Sequence, residues 1–460
     1  MYQGLYIYLS ARKERRDLLL SQRPPRFDES LDSMISRSED DFTRIALKAK
    51  AAQDYFLLIG PPGTGKTSCA LKKMVETFHA DKDAQILLLS YTNRAVDEIC
   101  KSLASIAPAV DFIRVGSELS CDEAYRGHLI ENELSSCNRR SEVYERIRNC
   151  RIIVGTVAAI SGKPELFRLK HFDVAIIDEA TQILEPQLLG ILCARGEDGK
   201  DAIDKFVLIG DHKQLPAVVQ QNTEQSAIYD ESLLSIGLTN LKDSLFERLY
   251  RNCTATVHRS YDMLCRQGRM HPEVALFANR AFYGGRLIPV GLPHQIESSD
   301  TICRLAFYPS VPEKAGASAK INYSEARIVA DLAARIYEDH QTDFDESRTL
   351  GIITPYRSQI ALIKKEIESL GIPALNRILV DTVERFQGSE RDVIIYSFCV
   401  NYPYQLKFLS NLTEEEGVLI DRKLNVALTR ARKQMFITGV PELLERNPLY
   451  KSLLKLIESF

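Results

Sequence analysis

The sequence predicts an α/β protein with two domains, each a parallel sheet covered by helices on both faces. Short apolar runs alternate with helical patterns, as expected of strands buried on both sides. The runs form two sets, and strand patterns lapse between them near residues 250–260. The first set comprises 55–60, 85–91, 151–156, 174–180 and 206–211, and the second comprises 303–309, 349–356, 391–398 and 434–439.

This pattern divides the chain into an N-terminal lead and two domains. The lead, residues 1–45, is polar and contains prolines but no sheet periodicity. The first domain is assigned to 46–252 and the second to 253–460. Residues 117–150 are charged and rich in helix formers, and they are interpreted as a small helical insertion in the first domain.

The composition is that of a globular protein, with 45% hydrophobic and 26% charged residues. A formal net charge of −3 gives no overall attraction to polyanions, so a nucleic-acid partner would require a local basic groove. The 10 cysteines include no C-x-x-C pair, which argues against a zinc ribbon and for reduced thiols. No signal peptide or membrane-length apolar run is visible, so a cytoplasmic location is expected.

A phosphate-binding loop follows the first apolar run, in the spacing G-x-x-x-x-G-K-T. Its backbone N–H groups and the start of the next helix would surround phosphate oxygens. Lys66 is expected to reach the β- and γ-phosphates, while the Thr67 hydroxyl would bind Mg²⁺. The predicted nucleotide-binding residues of this loop are Gly60, Pro61, Pro62, Gly63, Thr64, Gly65, Lys66, Thr67 and Ser68.

Two further apolar runs end in polar residues that suit the same chemistry. "VAIIDEA" ends in Asp178, which could hold Mg²⁺ through water, and Glu179, which could orient or deprotonate the attacking water. "FVLIGDHKQLPAVV" contributes Asp211 and Gln214, whose neutral amide could sense a γ-phosphate. Together these segments predict nucleoside-triphosphate hydrolysis.

The complete motif series resembles superfamily 1 helicases. It is most similar to the branch that contains the RNA helicase of nonsense-mediated decay and the helicase part of the eukaryotic Okazaki-fragment nuclease-helicase. The resemblance spans about residues 45–440 and implies two RecA-like domains that enclose ATP. The motifs run in the order "GPPGTGKT", "SYTNRAVDEI", "VGT", "IIDEA", "GDHKQLP", "GRMHP", "GIITPYRSQ", "DTVERFQGSERDVII", "LNVALTRAR".

The resemblance also implies roles in the second domain. Arg430 and Arg269 match the arginines that stabilise charge on the transferring phosphoryl group. Gly388 and Glu390 match residues that approach the triphosphate and the ribose hydroxyl. With Lys66, Asp178, Glu179 and Gln214, the two arginines complete the predicted catalytic set.

Other matched positions resemble a track for single-stranded nucleic acid. Hydroxyls and backbone amides at strand ends can hold phosphates without reading bases. The predicted track residues are Thr92, Asn93, Gly155, Thr156, Thr354, Pro355, Tyr356 and Thr382.

The implied activity is ATP-dependent translocation on a single strand, with DNA favoured over RNA and 5′ to 3′ movement expected by analogy. An RNA helicase or RNP remodeller, and a nucleotide-dependent scaffold that unwinds nothing, remain as alternatives. The loop begins about 60 residues into the chain, and this preceding segment is too short to contain the β-barrel domain that precedes the motor in close relatives. We therefore expect either a minimal motor or a piece of a longer polypeptide, with protein partners or missing N-terminal domains possible.

Two departures from the family pattern concern the base of the nucleotide. The segment "EDDFTRIALKAK" contains Phe42 but no glutamine to read the adenine edge. Gly268 stands where the family more often has a tyrosine that stacks on the base. The hypothesis is weak base selectivity. In the same motif, Met270, His271 and Pro272 are expected to fix the loop, with His271 a hydrogen-bonded structural histidine.

Overall fold

A computed structural model describes residues 2–256, 259–297, 302–313, 318–415 and 417–459. The chain forms two compact units. The first unit comprises Met1–Pro61, Gly65–His212 and Pro216–Leu264. The second comprises Pro62–Thr64, Lys213–Leu215 and Cys265–Phe460.

The first unit is built on a 7-stranded sheet in the order β3-β4-β2-β5-β6-β1-β7, and its neighbouring strands run parallel. All strands therefore present their carboxyl ends at one edge, where α/β proteins bind ligands. The strands are β1 (Tyr55–Ile59), β2 (Ile86–Ser90), β3 (Phe112–Val115), β4 (Ile152–Thr156), β5 (Phe172–Ile177), β6 (Ile203–Gly210) and β7 (Tyr261–Met263). The last of these lies beyond residue 252, at which the sequence analysis divides the chain.

Both faces of this sheet are buried, which explains why its strands are continuous apolar runs. In β1, Leu57 and Ile59 join one hydrophobic core, while Phe56 and Leu58 join another. The helices of this unit are α1 (Tyr2–Leu9), α2 (Lys13–Leu19), α3 (Asp32–Arg37), α4 (Asp41–Ala51), α5 (Lys72–His79), α6 (Asn93–Ala104), α7 (Ile130–Glu133), α8 (Arg140–Asn149), α9 (Val157–Ser161), α10 (Glu165–Leu169), α11 (Glu185–Leu192), α12 (Thr223–Ser226), α13 (Glu231–Ser235) and α14 (Leu245–Thr256).

The second unit has a 5-stranded parallel sheet in the order β10-β16-β13-β11-β12. Its strands and those of two small sheets are β8 (Arg266–Gln267), β9 (Ile288–Pro289), β10 (Leu305–Pro309), β11 (Leu350–Ile353), β12 (Leu379–Asp381), β13 (Arg391–Ser397), β14 (Leu412–Glu415), β15 (Val418–Asp421) and β16 (Ala431–Gly439). Its helices are α15 (Pro272–Tyr283), α16 (Pro293–Ile296), α17 (Tyr323–Asp339), α18 (Arg357–Ser369), α19 (Val383–Phe386), α20 (Leu406–Leu409), α21 (Arg422–Leu428), α22 (Pro441–Leu444) and α23 (Pro448–Ile457).

Asp54, a buried carboxylate immediately before β1, helps to fix the polar lead to the first sheet. Asp54, which is 3% exposed, accepts from Arg23 Nη2 at 2.8 Å and from Arg26 Nη2 at 2.9 Å. Burial opposes ionisation of Asp54, but the two guanidinium groups outweigh it and hold the pKa well below its usual range. The lead, which contains α1, α2 and α3, is thus attached to the sheet immediately before β1.

The predicted insertion, residues 117–150, consists of short helical segments and is held by ion pairs. Arg146 on α8 donates to Asp111 at 2.8 Å and to Glu133 at 2.7 Å. Within the described ranges, none of the helices is both long and apolar enough to cross a bilayer. The fold class predicted from the sequence is confirmed: parallel sheets flanked by helices in both units, with a small helical insertion in the first.

Candidate nucleotide and nucleic-acid sites

The phosphate loop connects β1 to a wide helical turn, Lys66–Leu71, which continues into α5. Gly63 and Gly65 have φ of +74° and +76°, a backbone region that glycine enters without strain. Lys66 Nζ folds back and donates to the Gly60 carbonyl at 2.7 Å. A Cβ at Gly60 would lie 2.0 Å from Lys66 Cγ, so only glycine leaves room for this lysine.

Thr67 meets the first carboxylate of the "DEA" motif. Its hydroxyl donates to Asp178 Oδ2 at 2.6 Å across 111 residues of sequence. Asp178 follows β5 and is 1% exposed, and its other oxygen accepts from the Glu179 amide at 2.9 Å. Burial and then the negative charge of Glu179 raise the pKa of Asp178.

Glu179 has a left-handed backbone, with φ of 53°. This conformation is unfavourable for a residue with a side chain and is commonest at functional sites. Its carboxylate accepts from Gln182 Nε2 at 2.8 Å and lies 3.9 Å from Lys66 Nζ. Gln182 was not identified from the sequence, where its only signal is its place three residues after Glu179 in the same motif.

The donor set suits Mg²⁺. Thr67 and Asp178 supply oxygen ligands, which this hard cation prefers, and Mg²⁺ usually takes further ligands from water and substrate phosphates. Among the residues that the structure describes, no group of three or more His, Cys, Asp or Glu side chains could hold a metal. The rest of the loop is mostly buried: Pro61, Pro62 and Thr64 lie inside, whereas Ser68 is exposed.

In the second unit, Arg269 is held by Glu390, which the resemblance also assigns to nucleotide binding. Its Nε donates to Glu390 Oε2 at 2.5 Å, and its Nη1 donates to the Thr429 carbonyl at 3.3 Å. Burial alone would raise the pKa of Glu390, but the positive charge of Arg269 lowers it overall. Gly388, two residues earlier, is exposed, with φ of +80°, and a Cβ built on it would have open space around it.

Arg430 is 2% exposed and precedes β16. Its Nε donates to the Val426 carbonyl at 3.0 Å, and its Nη2 donates to Gln214 Oε1 at 3.2 Å within the same unit. An arginine and the amide predicted to sense the γ-phosphate are therefore linked directly. Because Arg430 leads into β16 and Glu390 leads into the neighbouring β13, both lie at the amino end of this parallel sheet.

The residues after Arg269 build the loop, as the sequence analysis expects. Met270 is fully buried, and Pro272 begins α15. His271 is 5% exposed and caps that helix, with Nδ1 accepting from the Glu273 amide at 3.3 Å. Burial lowers the pKa of His271, which favours the neutral imidazole that can accept this bond.

In the first unit, the residues predicted to contact single-stranded nucleic acid lie at the carboxyl ends of β2 and β4, which are neighbours in the sheet. Thr92 caps α6 by accepting from the Ala95 amide at 3.2 Å, and Asn93 is the first residue of that helix. Thr156 caps α9 in the same way at 3.1 Å. Gly155 is buried inside β4, where a Cβ would lie 3.0 Å from the carbonyl of the neighbouring strand.

In the second unit, the residues predicted to contact single-stranded nucleic acid lie beyond β11 and β12, at the carboxyl end of the sheet. Glu390 and Arg430 lie at its opposite end. Thr354 is fully buried, and its hydroxyl has no hydrogen-bond partner in the part of the chain that the structure describes. Pro355 and Tyr356 are half-buried, and Tyr356 Oη accepts from Gln405 Nε2 at 3.2 Å. Thr382 is half-buried and is the N-cap residue of α19.

The loop, its lysine and the Thr67–Asp178 pair on a parallel sheet define a P-loop nucleotide-binding protein. Two family models, each described as an AAA domain, match most of the chain, one over 37–143 and 130–222 and the other over 241–442. The chain belongs to the superfamily 1 helicases with these two domains, which confirms the resemblance drawn from its motifs.

Curated relatives agree. The chain is 28% identical to the DNA replication ATP-dependent helicase/nuclease DNA2 of Bos taurus over 98% of this chain and 42% of that protein. It is 30% identical to the Gallus gallus DNA2 over 95% of this chain and 41% of that protein. The DNA polymerase alpha-associated DNA helicase A of Saccharomyces cerevisiae is 24% identical over 91% of this chain and 67% of that protein. The chain thus spans less than half the length of the first two relatives.

Among solved structures, a complex of the arterivirus nonstructural protein 10 helicase with DNA aligns with a TM-score of 0.42 and 14% identity. The alignment covers 90% of this chain and 65% of that one.

Proposed function

We propose that this chain is an ATP-dependent DNA helicase motor that moves along a single strand. The observation that carries the proposal is the contact of Thr67 with Asp178, beside Lys66 and Glu179. A hydroxyl, a buried carboxylate, a lysine and a second carboxylate at one sheet edge are the parts needed to hold and hydrolyse a nucleoside triphosphate with Mg²⁺.

In this proposal, each residue of the first unit has one task. Lys66 leaves the Gly60 carbonyl to bind the β- and γ-phosphates, and the loop amides hold the remaining oxygens. Thr67 and Asp178 would hold Mg²⁺, which neutralises charge on the phosphates. Glu179, oriented by Gln182, accepts a proton from the attacking water.

The family resemblance assigns two arginines of the second unit to the same reaction. Arg269 and Arg430 would stabilise the charge that spreads over the transferring phosphoryl group. Gln214, which accepts a hydrogen bond from Arg430, would report whether a γ-phosphate is present. Glu390 and Gly388 remain candidates for the ribose and triphosphate contacts.

The strand contacts support movement as well as binding. Thr92 is exposed and Tyr356 and Thr382 are half-buried, and polar groups at such helix starts and turns would hold phosphates without reading bases. Thr156 is buried, so its hydroxyl, which caps α9, would support the turn. Thr354, being fully buried, would support the turn rather than contact the strand. By the resemblance, ATP binding would close the two RecA-like domains by hinge motion and hydrolysis would reopen them, and the alternating grip on the nucleic acid would give a step.

DNA is proposed as the substrate because the curated relatives are named as DNA helicases. Movement from 5′ to 3′ is proposed by family analogy alone. The alternatives are an RNA helicase or RNP remodeller, which would use the same motor, and a nucleotide-dependent scaffold.

Unwinding of fluorescent duplexes that carry either a 5′ or a 3′ single-stranded tail tests the proposal. We expect ATP-dependent separation of the DNA duplex with the 5′ tail, and loss of it in Lys66→Ala. Separation of an RNA duplex alone would favour the RNA helicase. Nucleotide binding without separation of any duplex would favour the scaffold.

A further inference from the structure

A row of aromatic side chains lies on the segment after β13, outside the residues assigned above. The rings of Tyr402 and Tyr404 stack, with centroids 5.7 Å apart and planes inclined by 15°. Phe408 meets Tyr404 edge-on at a centroid distance of 6.5 Å. Tyr404 is 54% exposed and Phe408 is 69% exposed. Two large rings of one row therefore face solvent side by side, and contiguous exposed apolar groups mark interaction surfaces.

The row leaves the second sheet at the edge that carries Tyr356. Strand β13 pairs in parallel with β11, with Ile353 opposite Tyr396. Both strands therefore end at the same edge, β11 running into Tyr356 and β13 into the aromatic segment. Phosphates held at Tyr356 would place the adjoining nucleotides beside exposed rings.

Gln405 joins the row to Tyr356 directly. This side chain is 2% exposed, and its Nε2 donates to Tyr356 Oη at 3.2 Å and to the Ala319 carbonyl at 2.7 Å. Its Oε1 accepts from the amides of Asn401 and Tyr402, both at 2.9 Å. Every polar atom of the amide is used, so the glutamine fixes the start of the aromatic segment relative to Tyr356.

A buried network beneath Gln405 makes this arrangement rigid. Asn401 Oδ1 accepts from Asn322 Nδ2 at 3.0 Å, and Asn401 Nδ2 donates to the Ile321 carbonyl at 2.7 Å. Asn322 in turn exchanges two hydrogen bonds with Gln359, at 2.8 and 3.0 Å. A satisfied buried network holds a single conformation, and a ring held in place loses little entropy when it binds.

Positive charge lies on the same segments. Lys407 is exposed between Tyr404 and Phe408 in the chain. Lys320, next to the carbonyl that accepts from Gln405, and Arg357, next to Tyr356, are also exposed. Exposed rings interleaved with cations form the kind of surface that binds single-stranded nucleic acid.

We propose that Tyr404 and Phe408, positioned by Tyr402 and Gln405, form a stacking platform for bases of the single strand whose backbone passes Tyr356. The inference rests on the proposed function and adds a base-binding surface to a track so far assigned only to the backbone. Every base has a π-face, so the platform binds without sequence preference.

A tryptophan reporter tests the platform directly, because the chain contains no tryptophan. Tyr404→Trp places the sole indole in the row, and Tyr229→Trp places it at an 82% exposed position in the first unit. Titration with oligothymidylate is expected to quench most of the emission at 404 and to leave the emission at 229 unchanged.

Affinity measurements supply the second arm. We expect Tyr404→Ala and Phe408→Ala each to weaken oligothymidylate binding about tenfold, the lower range of a lost base stack. Tyr404→Phe keeps the ring and should bind as the wild type does, as should Tyr229→Ala. An abasic strand of equal length should bind the wild type and Tyr404→Ala equally well.

The outcomes separate the two proposals. If the wild type binds no strand and strands do not stimulate its ATPase, the proposed function fails. If the wild type binds but emission at 404 is unchanged and both alanine variants bind normally, only the platform is overturned. Equal loss with the abasic strand would also overturn it, because bases would then play no part.

Discussion

Arg269 and Glu390 are joined by a hydrogen-bonded ion pair of 2.5 Å in the second unit. The resemblance to superfamily 1 helicases implies a nucleotide contact for each of them, and in the structure they contact each other. Arg269 is 17% exposed and Glu390 is 43% exposed, so solvent reaches the pair. The carboxylate therefore orients the guanidinium, and a contact of Arg269 with a γ-phosphate would compete with this ion pair.

Arg269→Ala tests the assigned role of this arginine. We expect strand-stimulated ATP turnover to fall about 10³-fold while ATP still binds, because the arginine stabilises charge that develops only during transfer. Arg280→Ala changes an exposed arginine on α15 and should leave turnover unchanged. Measurement of both steady-state kcat and equilibrium ATP binding separates a loss of turnover from a loss of binding. Unaltered kcat in Arg269→Ala would remove this residue from the mechanism.

Base selectivity is the second prediction, and it concerns Gly268 and Phe42. A Cβ on Gly268 would lie 3.2 Å from Leu292 and 3.4 Å from Val290, so these side chains occupy the space beside the glycine. Phe42 lies close to the loop, with its ring edge 3.5 Å from a Cβ built on Gly65. An aromatic ring can contact a base but cannot distinguish hydrogen-bonding edges.

We therefore expect kcat/KM for GTP and CTP to lie within about tenfold of that for ATP, since stacking without edge contacts gives little discrimination. Steady-state assays with the separate nucleotides measure this ratio. A strict preference for ATP would show that another group reads the adenine edge.

The stability of the second unit should depend on pH through Glu325. Burial raises the pKa of this fully buried carboxyl to about 7, against an ordinary value of 4.5. The folded state therefore binds the proton more tightly than the unfolded state does. Stability from this group is complete below about pH 4.5 and is lost as the pH rises through 7, by at most about 3 kcal/mol.

Glu325→Gln should remove this dependence. The amide oxygen can replace the carboxylate that accepts from Ser397 Oγ at 2.7 Å and from the Cys399 amide at 2.8 Å. We expect the variant to be more stable than the wild type at pH 8, with a smaller difference at pH 5. Thermal unfolding at both values measures it, and Glu338→Gln, on the exposed face of α17, is the control. A constant difference across this range would contradict the prediction.

The sequence predicted much of this molecule because its fold depends on local patterns. Buried parallel strands are continuous apolar runs, and the loop spacing around Lys66 has few alternatives. Strand β7 was missed because three residues, with Asp262 among them, carry no apolar periodicity. Its place in the sheet comes from pairing with β1, a contact distant in sequence.

The partners of most site side chains could not be predicted either, because they too are distant in sequence. The Arg269–Glu390 pair spans 121 residues, and nothing local marks either residue as the partner of the other. Motif matching assigned Thr354 to the strand, but only the packed sheet shows that its hydroxyl is buried. Tyr404 and Phe408 belong to no motif, and their significance arises from exposure beside Tyr356.

The most direct test of the account is ATP hydrolysis with and without oligothymidylate, in the wild type and in Glu179→Gln. The account predicts strong stimulation by the strand in the wild type. It predicts loss of turnover in Glu179→Gln with ATP binding retained, because this carboxylate activates the water and does not hold the phosphates. Glu197→Gln, an exposed change in the same unit, should behave as the wild type does. Strand-stimulated hydrolysis that survives in Glu179→Gln would contradict the mechanism.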